Sequence, residues 1–369
     1  MKRAIILAGA FAASAGLATS AQAAPSIVAQ AKAYVAKATN PAVAYSGPTT
    51  GPKAVPHKFI VYISSNQSNG GARGVGKAVK AASHAIGWRF RLLDGKGTAA
   101  GQNAALQEAI ALHPAGIVLG GLDAVQSAPF IQQADKAGIK VVGWNISPHP
   151  GPMSKPSVVY NVAQDPLDVA KAAAFYAIAR SDGHAQVVIF TTSEFSIALA
   201  KSDRMAQIIR ECPGCKVLKV ENVPLSGTAT RMPQVTTALL SKFGKRWNYS
   251  LAINDLYYDY MAPGLSAAGH KGDGAPYNIS AGDGSKSAFQ RIRSRQYQTA
   301  TVAAPLELEG WQCVDALNRA FAGQKAVAEP DPVHLFTPEN VDQDGGKQDL
   351  FNPPDGYKKV FLKIWGRQN

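Results

Sequence analysis

The stretch FIVYISSNQSNGGARGVGKAVKAASHAIGWRFRLL, residues 59–93, decides the fold class. It opens with a short apolar run at residues 59–63 and closes with another at 90–93. Between these runs, apolar residues recur at helical spacing: Val75, Val79, Ala82 and Ile86. A strand, an amphipathic helix and a second strand in this order predict a βαβ unit with parallel strands.

The same alternation of short apolar runs and helical patterns continues along the chain. It predicts ten strands: 59–63, 90–93, 117–119, 139–142, 158–162, 187–190, 217–220, 250–253, 277–280 and 300–303. Ten strands are too many for one comfortable sheet in a chain of 369 residues, so we expect two doubly wound parallel sheets flanked by helices. Two such α/β lobes facing each other would form a cleft between them.

The N-terminus has the pattern of an export signal. Lys2 and Arg3 precede an apolar run at residues 4–18, and Ala21-Gln22-Ala23 provides the small residues that a signal peptidase recognises. We therefore predict a signal peptide at 1–23, a periplasmic mature protein and an N-terminal extension at 24–56, with a short helix and a Pro-rich lead-in. No later apolar stretch approaches the roughly 20 residues of a membrane span.

The formal charge of the whole chain is +13. A basic balance can indicate a nucleic-acid partner, but the Lys and Arg residues here are scattered, without a run of five or more. We expect no nucleic-acid binding and interpret the charge as that of a basic periplasmic protein.

The three cysteines suggest a structural role. Cys212-Pro213-Gly214-Cys215 follows a helical pattern and precedes an apolar run, so it lies at a helix C-terminus, where the helix dipole does not activate a thiol. A small structural disulfide between Cys212 and Cys215 suits an oxidising compartment better than a redox centre does. Cys313 falls inside a helical pattern, and we expect it to be a buried free thiol.

Ligands of open α/β sheets bind beyond the carboxyl ends of the strands, and the residues at those ends are mostly uncharged polar or aromatic. The candidates are Ser65 and Asn66 after the first strand, Trp144 and Asn145 after the fourth, and, in the second half, Phe195, Asn254 and Asp283. Amides and carboxylates hydrogen-bond hydroxyl groups, and aromatic faces cover apolar C–H edges, so this set suits a neutral hydroxylated ligand.

Other interpretations compete at several positions. Asp94, Asp123 and Asp255 are better placed as loop or helix caps than as ligand contacts. The Gly-rich residues 69–77 lack the spacing of a phosphate-binding loop. Hydrolase and metalloprotease motifs are missing too, so we expect no enzyme activity, no metal and no cofactor.

The order and spacing of several segments resemble the ribose/galactose-type periplasmic binding proteins, which have the type I periplasmic-binding fold. The resemblance covers roughly 57–330. Its strongest part is the strand LAIND at 251–255, with a helix closing in AAG at 267–269, and the strand end ISAGDG at 279–284. Further matches are PAGIVL at 114–119, AGIKVV at 137–142, and TVA at 301–303 with Gly310.

The resemblance implies ligand roles for Asn254 and Asp283, whose counterparts contact sugar hydroxyls. It also places the family's helix arginine on Arg204, with Phe195 in the preceding loop. It implies lobe one at 57–161 plus 305–330 and lobe two at 162–304 plus the tail 331–369, joined by a three-strand hinge that closes around the ligand.

Two departures bear on the ligand. The family's Asp-Arg pair after the fourth strand is replaced by Asn145 and Ile146, and its two stacked Phe in the first loop by Gly70 and Gly71. The expected ligand is therefore a small polar molecule, sugar-like but not a standard ribose or hexose.

The expected function is delivery of this ligand to an ABC permease in the inner membrane by a monomeric binding protein. A periplasmic sensor that presents its ligand to a membrane receptor would share every feature of the pocket. A transcription regulator of the same fold would need an N-terminal helix-turn-helix, where this chain has its leader and extension.

Overall fold

The structure is a computed structural model, and it describes residues 25–40, 45, 47–327 and 330–367. The predicted signal peptide lies outside the described residues. Within them, no helix is long and apolar enough to span a membrane.

The first lobe is built on a six-stranded sheet. Its strands are β1 (Phe59–Ser64), β2 (Arg89–Asp94), β3 (Gly116–Gly120), β4 (Lys140–Trp144), β5 (Gly151–Ser154) and β6 (Ser157–Val162). They lie in the order β2-β1-β3-β4-β6-β5, parallel except for β5. The flanking helices are α2 (Gly70–Ile86), α3 (Ala99–Ala111), α4 (Ala128–Lys136) and α11 (Leu306–Phe321). Because helices cover both faces, central strands such as β1 are continuous apolar runs.

The second lobe repeats this plan. Its strands are β7 (Gln186–Thr191), β8 (Lys216–Asn222), β9 (Tyr249–Ala252), β10 (Tyr277–Ser280), β11 (Ala300–Ala303) and β12 (His334–Phe336). Their order is β12-β11-β10-β9-β7-β8, parallel except for β12. Its helices are α5 (Pro166–Arg180), α6 (Ser196–Glu211), α7 (Thr228–Phe243), α8 (Leu256–Asp259), α9 (Ala262–Ala267) and α10 (Lys286–Ser294).

The predicted fold class, two doubly wound lobes of mostly parallel strands, is confirmed. All ten predicted strands are present, and the sequence analysis missed the short antiparallel strands β5 and β12. The helix expected to follow LAIND and to close at residues 267–269 is divided into α8 and α9, because Pro263 fits the first turn of a helix but not its interior. The chain crosses between the lobes at residues 163–165, at 304–305 and again after α11.

The two terminal segments differ from the expected domain boundaries. Helix α1 (Ile27–Ala38), expected to belong to a separate extension, packs on α5 of lobe two. The tail, expected to belong to lobe two, is shared: β12 joins the second sheet, but α12 (Tyr357–Trp365) packs on α11 of lobe one. The indole of Trp365 stacks on Trp311, with ring centroids 5.3 Å apart, and donates a 2.9 Å hydrogen bond to Asp315. This aromatic contact holds α12 against lobe one.

The cysteines match their predicted states. Cys212 and Cys215 form a disulfide in the turn that follows α6, and Cys313 is a buried free thiol in α11.

Candidate functional site

A pocket lies between the lobes at the carboxyl ends of both sheets. In each sheet the strand order reverses once, between β1 and β3 in lobe one and between β7 and β9 in lobe two. Segments that follow these strands line the pocket, as the switch-point rule requires. Its empty space, counted together with the open solvent at its mouth, is about 490 Å³.

Lobe one contributes an aromatic and polar wall, whose members are Ser65, Asn69, Ala72, Gly121, Trp144 and Asn145. Trp144 ends β4, and its indole N–H donates a 2.7 Å hydrogen bond to the buried carboxyl of Glu309 in α11. Asn145 follows with a φ of 52°, a left-handed conformation that asparagine adopts more readily than most residues. The chain thus turns sharply at the pocket where β4 ends, and the hydrogen bond to Glu309 fixes the orientation of the Trp144 ring.

Lobe two contributes the opposite wall, whose members are Phe195, Ile197, Ala198, Lys201, Leu225, Ile253, Asn254 and Asp283. The first turns of α6 supply Lys201, and the ends of β9 and β10 lead into Asn254 and Asp283. The Oδ1 atom of Asn254 accepts the backbone N–H of Leu256 at 3.2 Å, which orients the amide.

A buried ammonium group forms the base of this wall. The Nζ atom of Lys201 donates to the carbonyl oxygens of Ala281 at 2.8 Å and Ile253 at 3.3 Å. Burial lowers the pKa of Lys201, and the nearby carboxyl groups of Asp283, Asp255 and Glu309 oppose this shift. Lys201 therefore ties the ends of two strands together and brings a positive charge to the pocket.

Asp283 brings a carboxyl group to the pocket wall. Burial raises its pKa to about 6. The Lys201 ammonium group and a hydrogen bond with Asn69 of lobe one oppose this shift, and the charge of Asp255 adds to it. Asp283 thus lies where the two lobes meet.

Asp255 organises the loop that carries Asp283. Its Oδ2 atom accepts the backbone N–H groups of residues 283, 284 and 285 at 2.8–3.1 Å, and its Oδ1 atom accepts Gln298 at 2.7 Å and Thr301 at 2.9 Å. Burial raises the pKa of Asp255, and the hydrogen bonds from Ser285, Gln298 and Thr301, together with the charge of Arg291, oppose that shift. It is a positioning residue, in agreement with the structural role favoured by the sequence.

The lobes are in direct contact beside the pocket. A Cβ atom added to Gly71 would lie 2.5 Å from the carboxyl group of Asp283, and one added to Gly70 would collide with Ser285. Across the cleft, Asp123 accepts hydrogen bonds from Ser196, and Gln126 donates to the carbonyl of Glu194. The glycine pair that replaces two phenylalanines therefore leaves room for the lobe-two loop to sit on the start of α2.

Six of the eight predicted ligand-binding residues line the pocket: Ser65, Trp144, Asn145, Phe195, Asn254 and Asp283. Asn66 does not; its Oδ1 atom accepts the N–H of Ser68 at 2.8 Å and so stabilises its own turn. Arg204 does not line it either, and its guanidinium donates to Gln207 on the exposed side of α6. Arg204 lies eight residues, roughly 12 Å, beyond the start of α6, too far along the helix to reach the pocket.

The basic residue of the pocket is Lys201, which the sequence analysis missed. The available signal was its spacing of four residues from Ile197, which places the two side chains on one face of α6. Asn69 and Glu309 were missed as well. Asn69 caps α2 through a 2.8 Å bond from Ala72, and Glu309 comes from a distant helix that no strand-end rule identifies.

Comparison with known proteins assigns the family. Residues 60–325 match the model of the periplasmic binding protein domain. The chain belongs to this family. The match confirms the resemblance inferred from residues 251–255 and 279–284.

Solved structures agree with this family in fold. A sugar ABC transporter protein from Yersinia enterocolitica is similar at a TM-score of 0.70 and 15% identity, covering 84% of this chain and 95% of its own. An ABC transporter solute-binding protein from Agrobacterium vitis with bound α-D-tagatopyranose gives 0.69 and 16%, covering 80% and 99%. One from Bacillus halodurans with bound myo-inositol gives 0.66 and 17%, covering 79% and 97%. A search of curated proteins finds no match.

Proposed function

We propose that this binding protein captures a small polyhydroxylated ligand, a sugar or polyol, in the periplasm and delivers it to an ABC permease of the inner membrane. It binds without turnover: the two lobes close about their crossing segments, and the closed, liganded form is the one presented to the permease.

The pocket chemistry carries the proposal. An indole from lobe one faces the same space as an amide, a carboxyl group and an ammonium group from lobe two: Trp144, Asn254, Asp283 and Lys201. Such a mixture of one aromatic face and convergent hydrogen-bonding groups suits a ring or chain that carries hydroxyl groups. Structural neighbours with bound allitol, α-D-tagatopyranose and myo-inositol add support for this ligand class.

A thermal-shift screen with allitol, D-tagatose, myo-inositol, L-arabinose and glycerol tests the proposal. A ligand present at 100 times its Kd should raise the Tm by roughly 5 °C, since binding to the folded state alone stabilises it. If none of the panel shifts the Tm or gives heat in calorimetry, the proposed ligand class is wrong.

Lys201 and Arg204 offer a matched pair of variants on one helix. Lys201→Met should weaken binding of the tightest panel ligand by at least about tenfold, because it removes a buried charged donor at the pocket. Arg204→Met removes the same charge from the exposed side of α6 and should leave the Kd unchanged. Equal effects from the two substitutions, measured by calorimetry on folded protein, would contradict the site.

A further inference from the structure

A second, smaller chamber adjoins the pocket at the crossing segments. Its empty space, counted together with adjoining open solvent, is about 250 Å³, and its walls include Asn145, Gln164, Lys201, Asp283, Ala304 and Glu309. Asn145, Lys201 and Asp283 also line the main pocket. Gln164 and Ala304 belong to two of the segments that connect the lobes, so the chamber lies at the hinge, and we call it the hinge chamber.

Glu309 faces this chamber with an unused oxygen atom. It lies in the first turn of α11 and is fully buried. Its Oε2 atom accepts the Trp144 indole N–H at 2.7 Å, but its Oε1 atom has no hydrogen-bond partner among the described residues. A buried polar atom without a partner is unfavourable and rare in native proteins, so the chamber is built to receive a polar group.

The groups around the chamber define what that polar group is. Lys201 has three N–H donors and uses two of them on backbone carbonyls. Burial raises the pKa of Glu309 to about 8, with Asp331 adding to this shift, so near neutral pH its carboxyl group can donate as well as accept. A hydroxyl group both donates and accepts and satisfies either state of Glu309. A second ammonium group would be repelled by Lys201, and an ether oxygen could not donate.

We infer that the hinge chamber is a subsite for one hydroxyl group of the ligand, which exchanges hydrogen bonds with Glu309 and Lys201. The inference rests on the proposed function and deepens it, since it selects ligands with a hydroxyl group that projects beyond the main pocket. Because Gln164 and Ala304 wall the chamber, filling it also links the ligand to the segments about which the lobes close.

Calorimetry with singly deoxygenated analogues of the tightest panel ligand tests the subsite. In the wild-type protein, removal of one particular hydroxyl group should weaken binding by about 10- to 100-fold, as expected for a hydrogen bond to a charged group. Glu309→Leu, which removes both oxygen atoms of the side chain, should weaken binding of the parent ligand by a similar factor. In that variant, removal of the same hydroxyl group should have a clearly smaller effect than in the wild-type protein, because only the bond with Lys201 is left to lose.

Glu307→Leu is the matched control, because Glu307 lies in the same turn of α11 but pairs with Lys358 on the outside of lobe one. It should leave the Kd and the analogue pattern unchanged. If Glu309→Leu behaves like Glu307→Leu, the chamber holds water only and the subsite is refuted. If Glu309→Leu does not fold, the wild-type analogue series decides, and a series in which no hydroxyl group stands out refutes the subsite. Failure of the whole panel to bind would instead overturn the proposed function, and the subsite with it.

Discussion

Asp123 joins the two lobes, and replacing it should change the equilibrium between open and closed forms. Its Oδ1 atom accepts the N–H groups of Val125 and Gln126 within its own loop of lobe one. Its Oδ2 atom accepts the N–H and the O–H of Ser196 in lobe two, both at 2.7 Å. Ser196 is the first residue of α6, whose N-cap, Phe195, provides no side-chain cap. A carboxylate from one lobe thus caps a helix of the other.

The substitution Asp123→Asn separates these two functions. The amide oxygen can still accept the bonds within the loop, but the amide NH₂ then faces the backbone N–H of Ser196, which can only donate, and the Ser196 hydroxyl group must turn to accept. Each hydrogen bond to a charged group contributes about 1.5–3 kcal/mol, and a charge at a helix N-terminus about 0.3–1 kcal/mol. In the open form, water replaces part of these interactions. The substitution should therefore destabilise the closed form by roughly 2 kcal/mol relative to the open form. If the unliganded protein is mainly open, the Kd then rises by up to about 30-fold.

Calorimetry with the tightest panel ligand measures this change, and small-angle scattering reports how far the liganded protein closes. Asp94→Asn is the control, because Asp94 accepts bonds from Gln67 and Lys96 within lobe one alone. A Kd within twofold of wild type for Asp123→Asn, or an equal loss for Asp94→Asn, would refute the idea that Asp123 holds the lobes together.

Two further predictions concern stability. Because burial raises the pKa of Asp283 from 3.8 to about 6, the free energy of unfolding falls as pH rises through this window. Asp283→Asn should therefore stabilise the unliganded protein at pH 7.5 by roughly 3 kcal/mol at most, and this gain should vanish toward pH 4. The same substitution should weaken ligand binding. Unfolding curves that show no such pH dependence would contradict the environment described for Asp283. The double variant Cys212→Ser/Cys215→Ser should lower the free energy of unfolding by no more than about 2 kcal/mol, because the disulfide closes a very short loop. It should leave the Kd for the ligand unchanged. A large loss of ligand affinity would indicate that the disulfide acts on the site.

The fold was predictable because its strands are buried on both faces. Strands such as β1 and β3 are apolar runs with helical patterns between them, and this signal is local in the sequence. Strands β5 and β12 carry no comparable signal, since their sequences GPMS and HLF hold no run of three apolar residues and they pair at the sheet edges. The docking of α12 on lobe one was not predictable either, because the Trp365–Trp311 contact joins distant parts of the chain.

The site was predictable where it follows a strand end and not elsewhere. Trp144, Asn254 and Asp283 lie at or just after the carboxyl ends of parallel strands, and the family resemblance implied ligand roles for Asn254 and Asp283. Lys201 and Arg204 are both basic residues of α6, and the four-residue spacing from Ile197 is the local signal that places Lys201 on the pocket face. Glu309 reaches the site from α11, and its importance comes from the one oxygen atom left without a partner. These features depend on packing between segments that no local pattern connects.

A crystal structure of the complex with the tightest panel ligand tests the central claim most directly. We predict that the ligand lies between the lobes, with one face against Trp144 and hydrogen bonds to Asn254, Asp283 or Lys201. One of its hydroxyl groups should lie beside Glu309. A ligand bound on the outer surface of either lobe, with the cleft filled by solvent alone, would contradict it.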